Sequence, residues 1–362
     1  MNHKSRPEDK NQPAHAYDPR LGSPWWKHAR SRFSTVGVAL SVMLVVWFAL
    51  SLAISLSLKF ALPSLGIDAK HIPTWVNLLA SNGPLYVIAM PIAVAVLRKV
   101  PKLPTRRFSL GGKQFFALLI MCVPIMYAGS LVGIVLSSLL SGGTAVSNVS
   151  QLASSLDPLS AFVFMVLIAP VFEEWIFRKQ IIDRLRRYGE KTAIVISALA
   201  FALFHGNLFQ FFYAFGIGLV FAYVYMRTSR LRYSIAMHMI INCNGGVVAP
   251  WIMRQFDPKA LESLQSAGAQ MQRQSESLKQ LESIDQGSIA GLAGVTLYGL
   301  ALLALVVAGI VLLIVWRKRF EFYITPEELL PGTRLRTVAN PGMIAYGVLC
   351  VALMVGELFF RG

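Results

Sequence analysis

The chain has 362 residues, of which 55% are hydrophobic and 14% charged, with a mean hydropathy of +0.56. A soluble domain carries about 25% charged residues, so this composition excludes a soluble globular protein and points to an all-α, polytopic integral membrane protein. The net charge of +16 does not indicate a nucleic-acid binder, because the bases gather in loops between apolar runs, where they set topology.

In chain order, residues 1–32 are rich in Pro, Lys and Asp and are predicted to be a disordered cytoplasmic tail. The first apolar run begins near Phe33 and is too long for the hydrophobic region of a signal peptide. A membrane-crossing helix needs about 20 apolar residues. On that rule about nine spans follow, at 34–58, 75–97, 114–139, 158–178, 192–206, 208–226, 233–253, 291–316 and 341–360. The fifth is short, about 22 Å by helical rise, and is a candidate to stop inside the bilayer. The chain divides accordingly into N-terminal helices (33–157), a four-helix core (158–253), a polar insert (254–290) and C-terminal helices (291–362).

Lys and Arg concentrate in the tail and in the loops after the second, fourth, sixth and eighth spans, whereas "SGGTAVSNVSQLASSLDP" has none. The alternation predicts an N-in, C-out topology. Within the polar insert, Leu261, Leu264, Met271, Leu278 and Leu281 recur at helical spacings. They predict an amphipathic helix or short coiled coil on the outer face, either a plain surface helix or a contact for substrate or partner. Cys122, Cys243 and Cys350 all lie in apolar stretches without CxxC spacing and read as small core residues.

The anomaly is "VFEEWIFRKQ", which follows the apolar "LSAFVFMVLIAP". An acid at the centre of a membrane helix costs around 2.5–3.5 kcal/mol. Two accounts fit Glu173 and Glu174. In one, the helix ends here and both acids lie among headgroups beside Arg178. In the other, Glu174 pairs with Arg178 at i,i+4, while Glu173, about 100° round the helix, is free for chemistry. Histidine usage is the second anomaly, because His205 and His238 lie within apolar helices and Asn242 sits one turn beyond His238. A lone histidine there can be a packing hydrogen-bonder, but intramembrane ionisable groups are functional candidates.

Taking "RRYGEK" as a turn centred on Gly189, Glu173 and His205 stand at similar depths, provided the fourth helix continues to about Arg187. His238 and Asn242 lie closer to their own turn, a mismatch that requires tilt or a protruding hairpin. A carboxylate with a histidine can deprotonate water, and a histidine with an amide can donate to an oxyanion. Those are the parts for hydrolysing a peptide bond within a membrane. A different class, a non-catalytic scaffold or an ion- or proton-coupled transporter, could use the same buried groups. Transporters often show repeated halves, and no internal repeat is present in the sequence.

Three motifs in register carry a resemblance: "EEWIFR" (Glu173, Glu174, Arg178) fits EExxxR, "FALFH" (Phe201, His205) fits FxxxH, and "HMIIN" (His238, Asn242) fits HxxxN. In that order the chain resembles the CAAX protease and bacteriocin-processing family of intramembrane endopeptidases over about 158–253. The resemblance implies that Glu173 and His205 activate water and that His238 and Asn242 form the oxyanion hole. Glu174, Arg178 and Phe201 would then be supporting residues. It also implies membrane lipid as surroundings, a membrane-associated peptide or protein as substrate, and a bacterial plasma membrane as location. A zinc reading would use Glu173, His205 and His238, but HExxH is absent and Asn242 is a poor zinc ligand, so neither metal nor cofactor is expected.

Overall fold

The computed structural model describes residues 24–64, 72–144, 156–255, 286–325, 327–329 and 332–360, and among these the regular structure is all helical. In chain order the helices are α1 (Pro24–Ser64), α2 (Thr74–Leu97), α3 (Gly112–Leu140), α4 (Pro158–Tyr188) and α5 (Glu190–Phe204). They continue with α6 (Leu208–Thr228), α7 (Leu231–Arg254), α8 (Gln286–Trp316), the short α9 (Arg334–Val338) and α10 (Pro341–Phe360). Among the described residues, eight helices are long and apolar enough to cross a membrane, which makes the protein a multi-pass integral membrane protein. The fifth predicted span is α5, with 15 residues. The amphipathic helix predicted within the polar insert falls on residues 256–285, outside the described residues.

Two boundaries differ from expectation for clear reasons. The helix predicted to start at 34 starts at Pro24, inside the segment assigned to a disordered tail, because its buried face continues upstream: Ala29, Phe33, Val36 and Leu40 are all inaccessible. The fourth helix runs on to Tyr188, ten residues past the end of the predicted span and as the equal-depth argument about Gly189 requires. Ile181, Ile182 and Leu185 in that extension are buried, so an apolar stripe carries the helix beyond Arg178. At its other end Asp157 caps α4, with Oδ1 accepting from Ser160 N at 2.8 Å, which holds that carboxyl below the ordinary range.

Helices α4 to α7 pack on one another as the predicted four-helix core, and α3 lies along α6. Close approach of α3 and α6 depends on Gly129 and Gly133, a GxxxG pair. A Cβ at Gly129 would stand 2.5 Å from Tyr213 Cα, and one at Gly133 would stand 2.8 Å from the Leu208 carbonyl oxygen. At Gly189 the backbone takes φ 117°, the turn that reverses α4 into α5. The segment after α8 braces this turn: Thr325 donates to the Arg187 carbonyl at 2.7 Å, Tyr323 N to Glu190 at 2.8 Å, and Leu329 N to the Tyr188 carbonyl at 3.1 Å.

Candidate active site

Four stretches of helix are wound as π turns, at Leu85–Ala89, Phe162–Ile168, Glu174–Ile182 and Asn244–Val248. Such segments gather at functional sites, and three of these four adjoin the sequence-predicted residues. The third holds both Glu174 and Arg178. A π turn also takes up more residues per turn than an α turn. It therefore shortens the rise between Glu174 and the basic end of α4, which reduces the depth mismatch between the glutamates and His238.

Arg178 Nε donates to Glu174 Oε2 at 3.0 Å, and neither side chain reaches solvent. The guanidinium is held further by Ser197, whose hydroxyl accepts from Nη1 at 3.2 Å while donating to the Phe177 carbonyl at 2.8 Å. Its carbon lies 4.5 Å from the Phe201 ring centre and 5.8 Å from that of Phe221, an arrangement in which cation–π attraction offsets part of the desolvation cost.

Glu174 has a second partner, for His238 Nδ1 lies 3.2 Å from Glu174 Oε1. The other nitrogen, His238 Nε2, stands 3.7 Å from Glu173 Oε2, and Glu173 keeps 13% of its side chain exposed. That separation is too long for a direct hydrogen bond, yet one oxygen atom can sit within hydrogen-bonding reach of both. The structure thus divides the paired glutamates as their spacing predicts: Glu174 is fully engaged and Glu173 is open.

His205 ends α5, and its Nδ1 lies 2.8 Å from the Phe201 carbonyl. A carbonyl can only accept, so Nδ1 carries the proton and Nε2 presents a lone pair in the neutral ring. The Phe201 ring stands edge-on between the two histidines, 4.8 Å from His205 and 5.6 Å from His238. Phe177 and Phe201, equidistant from Gly189 just as Glu173 and His205 are, meet with ring centres 5.6 Å apart, which sets the hairpin register that the equal-depth argument requires. His205 makes no hydrogen bond to Glu173; the Phe201 ring links it to the cluster. Asn242 Nδ2 donates to the Met165 carbonyl at 2.9 Å, which commits one of its two amide hydrogens.

Sequence reasoning missed Ser197, Phe221 and Met165. Ser197 is a lone hydroxyl in an apolar helix, a weak signal that gains meaning once the hairpin register places it beside Arg178. Phe221 and the Met165 carbonyl carry no signal at all, because one is an ordinary core residue and the other acts through its backbone.

These features define a polytopic membrane protein with a buried glutamate–arginine–histidine cluster inside a four-helix core. Residues 155–244 match the family model described as type II CAAX prenyl endopeptidase Rce1-like, a segment that includes Glu173, His205, His238 and Asn242. The chain is 34% identical over 147 residues to the membrane-embedded CAAX protease MroQ of Staphylococcus aureus (strain USA300), covering 38% of this chain and 57% of that relative. It is 28% identical over 214 residues to YdiL of Bacillus subtilis (strain 168), covering 55% of this chain and 82% of that relative. No solved structure matches the chain.

Proposed function

We propose that this chain is an intramembrane, glutamate-type endopeptidase that hydrolyses a peptide bond in a membrane-associated protein or peptide, with its N-terminus on the cytoplasmic side. The observation that carries the reading is His238, fixed at 3.2 Å by the buried Glu174 and facing the open carboxylate of Glu173 at 3.7 Å. The match to a CAAX endopeptidase family and the name of the S. aureus relative support the same class of reaction.

In this mechanism a water between Glu173 and His205 attacks the scissile carbonyl carbon, and Glu173 accepts its proton. His205 Nε2 accepts the water's second hydrogen and so orients it. The oxyanion receives hydrogen bonds from His238 Nε2–H and from the uncommitted amide hydrogen of Asn242. With His238 donating from both nitrogens, the formal charges of Glu173, Glu174, Arg178 and His238 sum to zero. The intermediate collapses by breaking the C–N bond, and the proton on Glu173 passes to the departing amine.

The proposal uses no metal ion. Among the described residues no three His, Cys, Asp or Glu side chains converge as a metal-holding group. Both histidines engage their Nδ1, which leaves Nε2 as the nitrogen each brings to the reaction.

The test is cleavage of a membrane-anchored peptide by purified protein in liposomes, with wild type beside Glu173→Gln. The amide is isosteric but a poor proton acceptor, so hydrolysis should vanish while the protein still folds. Retention of more than a tenth of wild-type turnover by Glu173→Gln would falsify the assignment.

A further inference from the structure

A second hydrogen-bonded chain reaches this site from the turn between α5 and α6. The buried Asn207 donates to the His205 carbonyl at 3.0 Å and to Gln210 Oε1 at 2.5 Å, and its own Oδ1 accepts from Gln210 N at 2.8 Å. Gln210 Nε2 then donates to Tyr213 Oη at 2.7 Å. Residues 207, 210 and 213 share one face of the helix. Because the phenol oxygen accepts here, its proton remains available, and it meets no acceptor among the described residues.

Tyr213 is held in place from two sides. Its backbone lies against α3 where Gly129 leaves room for it. Its register follows from Gly218, which packs on Ala198 of α5. Five residues nearer the turn, Tyr213 stands level with about Leu203, within a turn of His205. The Glu173 carboxylate lies within electrostatic reach of the Tyr213 phenol. Tyr86 of α2 is within the same reach and its ring stacks on Phe172 at 4.7 Å, but no side chain fixes its hydroxyl as Gln210 fixes that of Tyr213.

Asn242 spends one amide hydrogen on Met165 and so brings a single donor to the oxyanion beside His238, and this phenol can supply a third. We propose that Tyr213 is a further catalytic residue, its phenolic O–H donating a hydrogen bond to the scissile carbonyl oxygen as that oxygen becomes an oxyanion. No proton is transferred, and Asn207 and Gln210 are positioning residues that aim the phenol. The proposal rests on the endopeptidase reading above.

The experiment is steady-state cleavage of one membrane-anchored peptide by the full chain in liposomes. Wild type is compared with Tyr213→Phe, Gln210→Leu, the double variant and Glu173→Gln. Loss of a single oxyanion donor lowers kcat about 10²–10³-fold, so Tyr213→Phe should show that loss with KM within about twofold and unfolding temperature unchanged. Gln210→Leu keeps the phenol and should lose less. The double variant should be no worse than Tyr213→Phe alone, since residues of one network are not additive. Losses that add, a KM rise at constant kcat, or Tyr213→Phe retaining a third of wild-type kcat would overturn the proposal.

Should Tyr213→Phe unfold at a lower temperature than wild type, Gln210→Leu decides alone: reduced kcat at constant KM supports the role, and unchanged kcat overturns it. If wild type shows no Glu173-dependent cleavage, the endopeptidase reading falls and this role with it. Glu173-dependent cleavage with Tyr213→Phe at full turnover removes the tyrosine alone.

Discussion

Arg178 and Glu174 form an ion pair withdrawn entirely from solvent, 3.0 Å between Nε and Oε2, and the same carboxylate also receives His238. Removing one partner of a buried pair typically costs about 3–5 kcal/mol, because the other charge stays behind unpaired. Glu174→Gln should therefore lower the unfolding temperature in detergent and reduce yield, with turnover falling as His238 loses its charged anchor. The contrast with Glu173→Gln is diagnostic. If Glu173→Gln is the unstable variant and Glu174→Gln the stable one, the two roles are reversed.

Arg178 should not be replaceable by lysine. Its guanidinium contacts Glu174 and Ser197 while lying against the Phe201 and Phe221 rings. An ammonium has neither the plane nor the fork for that combination. Arg178→Lys keeps the charge yet should lose most turnover and much of the thermal stability. Near-wild-type behaviour would mean that charge alone matters at this position and that the stacked geometry is incidental.

His205 presents a sharper test of water activation. Its Nδ1 is committed to the Phe201 carbonyl, so its chemistry must come from Nε2. His205→Gln retains a group that can donate to that carbonyl but supplies no comparable base. Orienting the water that Glu173 deprotonates is part of a general-base step worth roughly 10²–10⁴ in rate, so kcat should fall within that range while the protein unfolds at the wild-type temperature. An equal fall in folded yield would assign His205 to packing instead.

The sequence made the candidate site's members legible for a physical reason. Ionisable groups are costly in apolar helices, so Glu173, Glu174, Arg178, His205 and His238 stand out against their neighbours. The Glu174–Arg178 pair was readable from i,i+4 spacing, and the hairpin depth from counting residues about Gly189. What spacing could not show was the winding of α4. A π turn leaves no residue signature, yet it alters the rise between the glutamates and the basic turn. Nor could composition show that α1 begins at Pro24, since "WWKHARSR" is polar by count. Its helical face becomes evident when Ala29 and Phe33 are seen buried in line with Val36 and Leu40. Partners that act through the backbone, such as the Met165 carbonyl, are invisible to any reading of side chains.

The α3–α6 interface should be intolerant of bulk. At Gly133 an added Cβ would stand 2.8 Å from two carbonyl oxygens of α6, those of Leu208 and Phe209, and backbone cannot give way as a side chain would. Gly133→Val should lower yield and unfolding temperature sharply. Gly112, which has nothing near its Cβ position, should tolerate alanine with little change. Comparable stability of the two variants would show that the helices can separate without penalty.

The last prediction concerns metal. If Glu173 and His205 activate water directly, and His238 with Asn242 meets the oxyanion, no ion takes part. Turnover should then survive exhaustive treatment with EDTA or phenanthroline, and purified protein should contain far less than one zinc per chain. Asn242→Ala should reduce kcat by about 10²–10³ with little change in KM, the usual effect of losing one oxyanion donor. The bond from Asn242 to the Met165 carbonyl complicates this variant, because its loss also frees the π-wound start of α4. Unfolding temperature separates the two effects: a fall in kcat at unchanged stability belongs to the oxyanion, whereas a fall in both belongs to the bond. Asn242→Asp keeps the size but loses both amide hydrogens, so it should be as slow as alanine, whereas replacing Met165 should leave kcat near wild type, since the contact is to its backbone. A metal enzyme would respond in another way: chelation would silence it, added zinc would restore it, and Asn242 would matter little. Stoichiometric zinc lost together with activity would overturn the metal-free mechanism and leave the endopeptidase reading standing.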